Sequence, residues 1–231
     1  INQPPALKNY NAYTSDAALV EAVNREDAGW AETSLRAFGE KMGTEYFIAQ
    51  GHLANTFLPV LHTHDRFGRR IDEVEFHPSY HECFRAGIEA EAHALPWNHR
   101  RPGAHVARAV KHFLLSQTEA GVCCPITMTF AAVPALRWQP EIAEEWIPRI
   151  TSTQYDPRVV PAPDKTGCTM GMAMTEKQGG SDVRANTTRA VPLGAEGPGR
   201  EYYLTGHKYF VSGAMGDAFL ALAHTERGLS C

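Results

Sequence analysis

The amino-acid sequence predicts an α+β fold: an all-α N-terminal domain followed by an antiparallel β domain. Over the first 150 residues apolar side chains recur at the three-and-four spacing of amphipathic helices. Asp156-Pro157 to Pro161-Ala162-Pro163 then forms a proline-rich connector, a composition that resists helix. Beyond it the period falls to two, with Cys168, Met170, Met172 and Met174 alternating with Thr169, Gly171, Ala173 and Thr175.

The helical elements follow in order. Ser15 is placed to cap a helix carrying Ala18, Leu19, Ala22 and Val23 on one side. Leu35, Phe38 and Met42 make a second stripe that stops at Gly43, and residues 46–57 make a third. Residues 61–76 break the pattern. They read as an inserted hairpin turning at Phe67-Gly68. Helices resume over 81–93, ended by Pro96. Another starts near Pro102, with Val106, Val110, Phe113, Leu114 and Gln117 on one face. Pro125 and Pro140 open two more.

Past the connector, strands are expected at 168–175, 187–191, 201–212 and 218–224. Helices grouped before strands argue for two domains, 1–160 helical and 161–231 the start of a β domain. Some 70 residues of β are thin for a closed sheet, so the sheet is expected to continue past Cys231. Position 1 is Ile and the last residues, Gly228-Leu229-Ser230-Cys231, lack a helix cap or polar tail; the sequence reads as a segment of a longer chain.

Composition narrows the class. With 43% apolar and 21% charged residues the chain is globular, and a net charge of −4 gives no basic footprint for nucleic acid. No apolar run approaches a membrane span and no signal peptide opens the chain, so no membrane partner is expected. Five cysteines, two of them adjacent at Cys123-Cys124, fit reduced thiols of a cytoplasmic protein rather than a disulfide framework.

Chemistry concentrates in Met174-Thr175-Glu176-Lys177-Gln178-Gly179-Gly180-Ser181-Asp182. Paired glycines after a strand admit φ > 0 and a close approach to backbone amides, and with the serine hydroxyl they would cradle a pyrophosphate. A plain β-turn is the other reading, and spacing alone does not choose. Phe210 and Ser212, two apart on an expected strand, would share a face suited to a flat ring with a hydrogen-bonding edge; an aromatic in a strand is equally an ordinary core residue.

Together these segments resemble the acyl-CoA dehydrogenase family, whose flavin motif is a strand ending in Thr-Glu-Pro-x-x-Gly-Ser-Asp with a later Trp-x-Thr element. Lys177 stands at the proline, Phe210 at the tryptophan and Ser212 at the threonine. The string from Met174 to Val183, together with Cys124-Pro125-Ile126-Thr127-Met128-Thr129-Phe130 and Gly68-Arg69-Arg70, is similar to the AidB branch, relatives of the alkylation response.

The resemblance implies FAD, lined by Met172, Ala173, Met174, Thr175, Gly180, Ser181, Phe210, Val211 and Ser212. Ser181 would also touch the substrate, an acyl-CoA thioester oxidised at its α and β carbons by hydride transfer to flavin N5. It implies a homo-oligomer, a tetramer in most members. It also implies a C-terminal helical domain absent from this sequence, which would supply the catalytic base and any DNA contact. No residue here matches that base, and this segment alone is expected to be inactive.

Other groupings carry ordinary readings beside functional ones. His62 and His64 would share a strand face, but eleven scattered histidines make chance proximity the better account of any metal-like cluster. Arg66, Arg69, Arg70, Arg100 and Arg101 suit a solvated surface or a subunit contact. Met170, Met172 and Met174 suit core filling. Cys123-Cys124 would be buried thiols or the lining of an acyl pocket.

Overall fold

The structure is a computed structural model and describes residues 2–231. Helix α1 (Ala17–Arg25) is capped by Asp16, whose carboxylate accepts the Ala18 and Leu19 N–H groups; the expected cap, Ser15, is spent in the preceding turn, donating its N–H to Asn11. Helix α2 (Glu32–Met42) buries Leu35, Phe38, Gly39 and Met42 and ends at Gly43, as its stripe predicts. Thr44 caps α3 (Glu45–Thr56).

Strands β1 (Val60–His64) and β2 (Arg70–Glu75) form the expected antiparallel hairpin. Its turn is closed by the Asp65 carboxylate, which accepts the Phe67 and Arg69 N–H groups, and Gly68 takes φ 79°. Helix α4 (Pro78–Glu89) starts earlier than the sequence suggests, with Pro78 in its first turn. Pro96 is no terminator: it sits in the first turn of the short α5 (Leu95–Asn98).

Helix α6 (Ala104–Thr118) begins after Gly103, not Pro102. Gly103 has φ 71°, and a Cβ there would lie 2.5 Å from the Ala28 nitrogen. Its inward face is Ala107, Val110, Leu114 and Leu115, while Phe113 points outward at 45% exposure. Helices α7 (Cys123–Leu136) and α8 (Pro140–Ile150) complete the helical part.

Two cores organise these elements. The larger gathers Tyr13, Val23, Leu35, Met42, Leu95, Leu114, Leu115 and Ile126 among the helices. The smaller packs Ala132, Val133, Leu136 and Ile150 against Cys168 and Met170, fastening the first strand past the connector to α7 and α8.

That strand, β3 (Met170–Ala173), pairs with β6 (Ala218–Ala221). A second sheet orders β5 (Tyr202–Thr205), β4 (Arg189–Pro192), β7 (Ala223–Thr225) and β8 (Gly228–Ser230). The α+β class holds, but the sheet is mixed rather than antiparallel. β3–β6 and β4–β7 are parallel, because a long excursion of the chain separates each pair, whereas β4–β5 and β7–β8 are antiparallel neighbours.

The expected strand 218–224 breaks at Leu222 and serves both sheets. A buried Lys165–Asp217 ion pair at 2.6 Å locks the starts of β3 and β6, and Asp217 also accepts the Thr169 N–H at 2.7 Å. Among the described residues no helix is long and apolar enough to cross a membrane, and all five cysteines are unpaired.

One buried group sets a pH dependence. His93 is 1% exposed; its Nε2 bonds the Ser152 carbonyl at 3.0 Å and its Nδ1 is buried without a partner among the described residues. Burial pushes its pKa down to about 4 from 6.5. The folded state therefore prefers neutral imidazole: this stability is complete above pH 6.5 and drains as pH falls toward 4, by up to about 3 kcal/mol. Chemical denaturation of His93→Gln should show lower stability than the parent at neutral pH and a shallower loss between pH 6.5 and 4. Parallel pH profiles for the two proteins would show that His93 does not titrate on unfolding.

Candidate functional site

The site is organised by one carboxylate. β3 ends at Ala173, and the chain then runs through Met174, Thr175 and Glu176 before turning. Glu176 is 2% exposed. Its oxygens accept the N–H and O–H of both Thr187 (2.7 and 2.9 Å) and Thr188 (2.9 and 2.5 Å), and Lys208 Nζ approaches at 3.2 Å. The Thr188 hydroxyl, then the Thr187 amide, hold its carboxyl well below the usual carboxylate range. The Thr175 carbonyl accepts the Tyr209 N–H at 2.9 Å, and the Met174 carbonyl accepts Asn186 Nδ2 at 2.7 Å. Three separate stretches of chain, 174–179, 186–188 and 206–209, are thus tied at one point.

Met172, Met174 and Thr175 are half-buried along or just past β3, and Ala173 is buried. Within the turn the left-handed glycine is Gly179, at φ 113°, not Gly180. Gly180 is required for closeness instead, since a Cβ there would lie 2.7 Å from Thr175 Oγ1. Gly180 and Ser181 are exposed, and their main-chain amides bond to nothing among the described residues. Asp182 then accepts the Arg184 N–H and starts one short turn.

The strand expected over 201–212 is confined to Tyr202–Thr205, so Phe210 and Ser212 do not share a strand face. The ladder stops after Thr205, since the Thr188 N–H is taken by Glu176 and its C=O by His224; Gly206 lies against Thr188, where a Cβ would sit 2.2 Å from Oγ1, and the chain leaves to run past Thr175 and Glu176. Phe210 takes φ 58° and is 77% exposed, with Tyr209 edge-on at 4.7 Å. A bulky residue in that conformation costs about 1–3 kcal/mol, and such strain concentrates at functional positions. Val211 is half-buried and Ser212 exposed. The Tyr209–Thr175 bond ties the residue before Phe210 to Thr175, on which Gly180 also closes.

The chemistry fits a flat, anionic cofactor such as FAD. Two amides without a partner among the described residues, beside a serine hydroxyl, suit a pyrophosphate, the Thr175 hydroxyl suits a ring edge, and a displayed aromatic suits an apolar ring face. Sequence reasoning missed Thr187, Thr188, Asn186 and Lys208. Only the adjacent hydroxyls of Thr187-Thr188 hinted at a buried acceptor.

The remaining groupings take up structural roles. His62 pairs with Glu75 at 2.7 Å, and the β1 register shifts between His62 and His64. Arg66 lies over Phe67 and Arg101 over Trp30, at 4.8 and 3.7 Å from the ring centres. Met170 fills the smaller core. Cys123 is buried, its thiol pushed up to about 12 by burial, and Cys124 is exposed.

Comparison with known proteins supplies an independent view. Residues 2–157 match the family described as adaptive response protein AidB N-terminal domain, and residues 171–231 match the acyl-CoA dehydrogenase middle domain. The chain is 47% identical to AidB of Escherichia coli (strain K12) over all of its own length and 42% of that protein's. It is 29% identical to acyl-CoA dehydrogenase family member 11 of Caenorhabditis elegans, over 93% of this chain and 34% of the relative. The chain therefore spans less than half the length of these relatives.

Among solved structures, the apo form of Bd2924 superimposes with a TM-score of 0.85 at 26% identity, covering 99% of this chain and 46% of that one. Caenorhabditis elegans ACDH-11, solved in complex with C11-CoA, gives 0.80 at 25% identity, covering 98% and 38%.

The carboxylate hub makes a direct prediction. Glu176→Gln turns an amide NH₂ toward a ring of donors, so the unfolding temperature should fall by roughly 4 °C or more and protease should cut sooner within 177–182. Lys208→Met should do less. A Glu176→Gln protein with unaltered melting and cleavage would remove the hub from the account.

Proposed function

The chain belongs to the acyl-CoA dehydrogenase family, in its AidB-like branch, and from that premise we propose that it forms one wall of an FAD site in an enzyme that oxidises acyl-CoA thioesters between the α and β carbons. The observation that carries this reading is Phe210, held exposed on a left-handed backbone next to Tyr209, whose N–H bonds the Thr175 carbonyl, while Gly180 closes on the Thr175 side chain.

The chain's own groups divide the work. The Thr175 hydroxyl and backbone orient the pyrimidine edge of the isoalloxazine. The Gly180 and Ser181 amides hold the pyrophosphate. Phe210 covers the ring and excludes water, and the Ser212 hydroxyl donates toward N5. Met172, Ala173, Met174 and Val211 line the remaining edge, and Ser181 faces the substrate as well. FAD held by these residues would supply the hydride acceptor for the β carbon. Removal of the α proton falls to a carboxylate outside this chain, so the 231 residues alone bind and position without turning over. A cytoplasmic homotetramer with acyl-CoA as its small-molecule partner accords with the unpaired cysteines and the family.

The match to the adaptive response AidB domain favours a second reading, a flavoprotein of the DNA alkylation response with residual dehydrogenase activity. Its DNA contact would lie in a C-terminal domain beyond this chain. Salt-sensitive duplex binding that survives removal of FAD, with no acyl-CoA oxidation, would select it.

The full-length protein should purify yellow and bleach anaerobically with an acyl-CoA of suitable chain. No bleaching across short, branched and long chains contradicts dehydrogenation. Gly180→Val drives a branched side chain into Thr175 Oγ1, only 2.7 Å from where Cβ must sit, and should abolish FAD retention. Flavin absorbance at normal stoichiometry in that variant shows the loop is misassigned. Phe210→Ala should weaken FAD binding by about tenfold, the worth of one aromatic contact.

A further inference from the structure

The β1–β2 hairpin takes no part in the site described above, yet its tip presents two cations on a fixed frame. The Asp65 carboxylate accepts the Phe67 and Arg69 N–H groups, and the Asp65 N–H bonds the Arg69 carbonyl at 2.8 Å. These bonds close residues 65–69 into one turn and commit the acid to backbone. Phe67 stands out from the turn, 70% exposed. The Arg66 and Arg69 guanidiniums lie over its ring, 4.8 and 5.9 Å from the centre. Stacking orders both planar groups and leaves their N–H edges open to an acceptor. Arg70 differs, since it pairs with Asp72 at 2.6 Å. Neither Arg66 nor Arg69 has an ion-pair partner among the described residues.

A surface of the opposite kind lies where α7 passes into α8. Trp138 is 91% exposed, the most exposed large apolar side chain among the described residues. Three residues on, Glu141 opens an acidic stretch of α8 with Glu144 and Glu145. All three are exposed and have no ion-pair partner among the described residues. Glu141 and Glu145 are four apart on one helix and repel each other. A tryptophan in water beside unpaired carboxylates suits a partner that brings arginines and an aromatic ring. Such residues carry most interface energy, and charge complementarity selects the partner.

The hairpin tip has that chemistry, and no ion pair joins the two surfaces within one protomer among the described residues. A nucleic-acid backbone fits the tip less well. The two free arginines share the hairpin with Asp72, Glu73 and Glu75 in a chain of net charge −4, so they form no basic field. We propose that the hairpin tip of one copy docks on the Trp138–Glu145 surface of a second copy of this protein. Arg66 and Arg69 take the carboxylates of α8, and Phe67 packs with Trp138. Because every copy carries both surfaces, a two-fold pair makes the contact twice. The proposal rests on the self-association read above and not on the flavin site.

The test is sedimentation velocity of the full-length protein over a dilution series. Arg66→Glu with Arg69→Glu should weaken self-association about tenfold or more, as should Glu141→Lys with Glu145→Lys. All four substitutions together restore opposite charges across the contact and should return assembly to within about threefold of the parent. A parent that stays monomeric overturns the self-association reading and this contact with it. An oligomer indifferent to both reversals overturns the contact alone. So does loss without recovery in the combined variant, the outcome expected if the tip meets a different protein. Trp138→Ser alters no charge and should also weaken assembly about tenfold. If a reversed variant fails to fold, Trp138→Ser decides alone, and unchanged assembly in it overturns the contact. Flavin absorbance on the same samples reports the flavin reading separately.

Discussion

The buried carboxylate of Glu176 is the constraint on which the rest of the site depends. A carboxylate removed from water is unfavourable unless nearly every lone pair is occupied. Here four donors from Thr187 and Thr188 and the ammonium of Lys208 meet that demand. Each donor lies on a segment that would otherwise be an independent loop. Satisfying one ion therefore fixes the end of β3, the start of β4 and the run toward Phe210. The glycine turn and the displayed aromatic are positioned as consequences.

The connection to the helical part is of a different kind. Cys168 and Met170 belong to the smaller apolar core with α7 and α8, and Lys165–Asp217 pins β3 to β6 below it. Apolar packing sets where the strand begins, and hydrogen bonding to Glu176 sets where it ends. The candidate site lies on chain that these two anchors hold.

Much of the helical part was legible because its signals are local. The α2 stripe, the stop at Gly43 and the hairpin around Gly68 each depend on residues within a turn or two. Where a distant contact intervened, local reading slipped. Pro102 yielded to Gly103 where Ala28 leaves no room for a Cβ, and the strand stopped short of Phe210 where the Thr188 backbone is taken by Glu176 and His224. Parallel pairing of β3 with β6 has no local signature at all. For the candidate site, family resemblance proposed Thr175, Gly180, Ser181, Phe210 and Ser212. Their assembly was not, since Thr187, Thr188 and Lys208 act across the fold and nothing in their own neighbourhoods marks them.

The central claim is that one hub builds a flavin wall from two separated segments before the cofactor arrives. Hydrogen–deuterium exchange of the full-length protein, with and without FAD, tests it most directly. The account predicts slow exchange at the Tyr209 amide in both states and new protection on FAD binding at 179–182 and 210–212 together. FAD-dependent protection confined to one segment, or to neither, would contradict it.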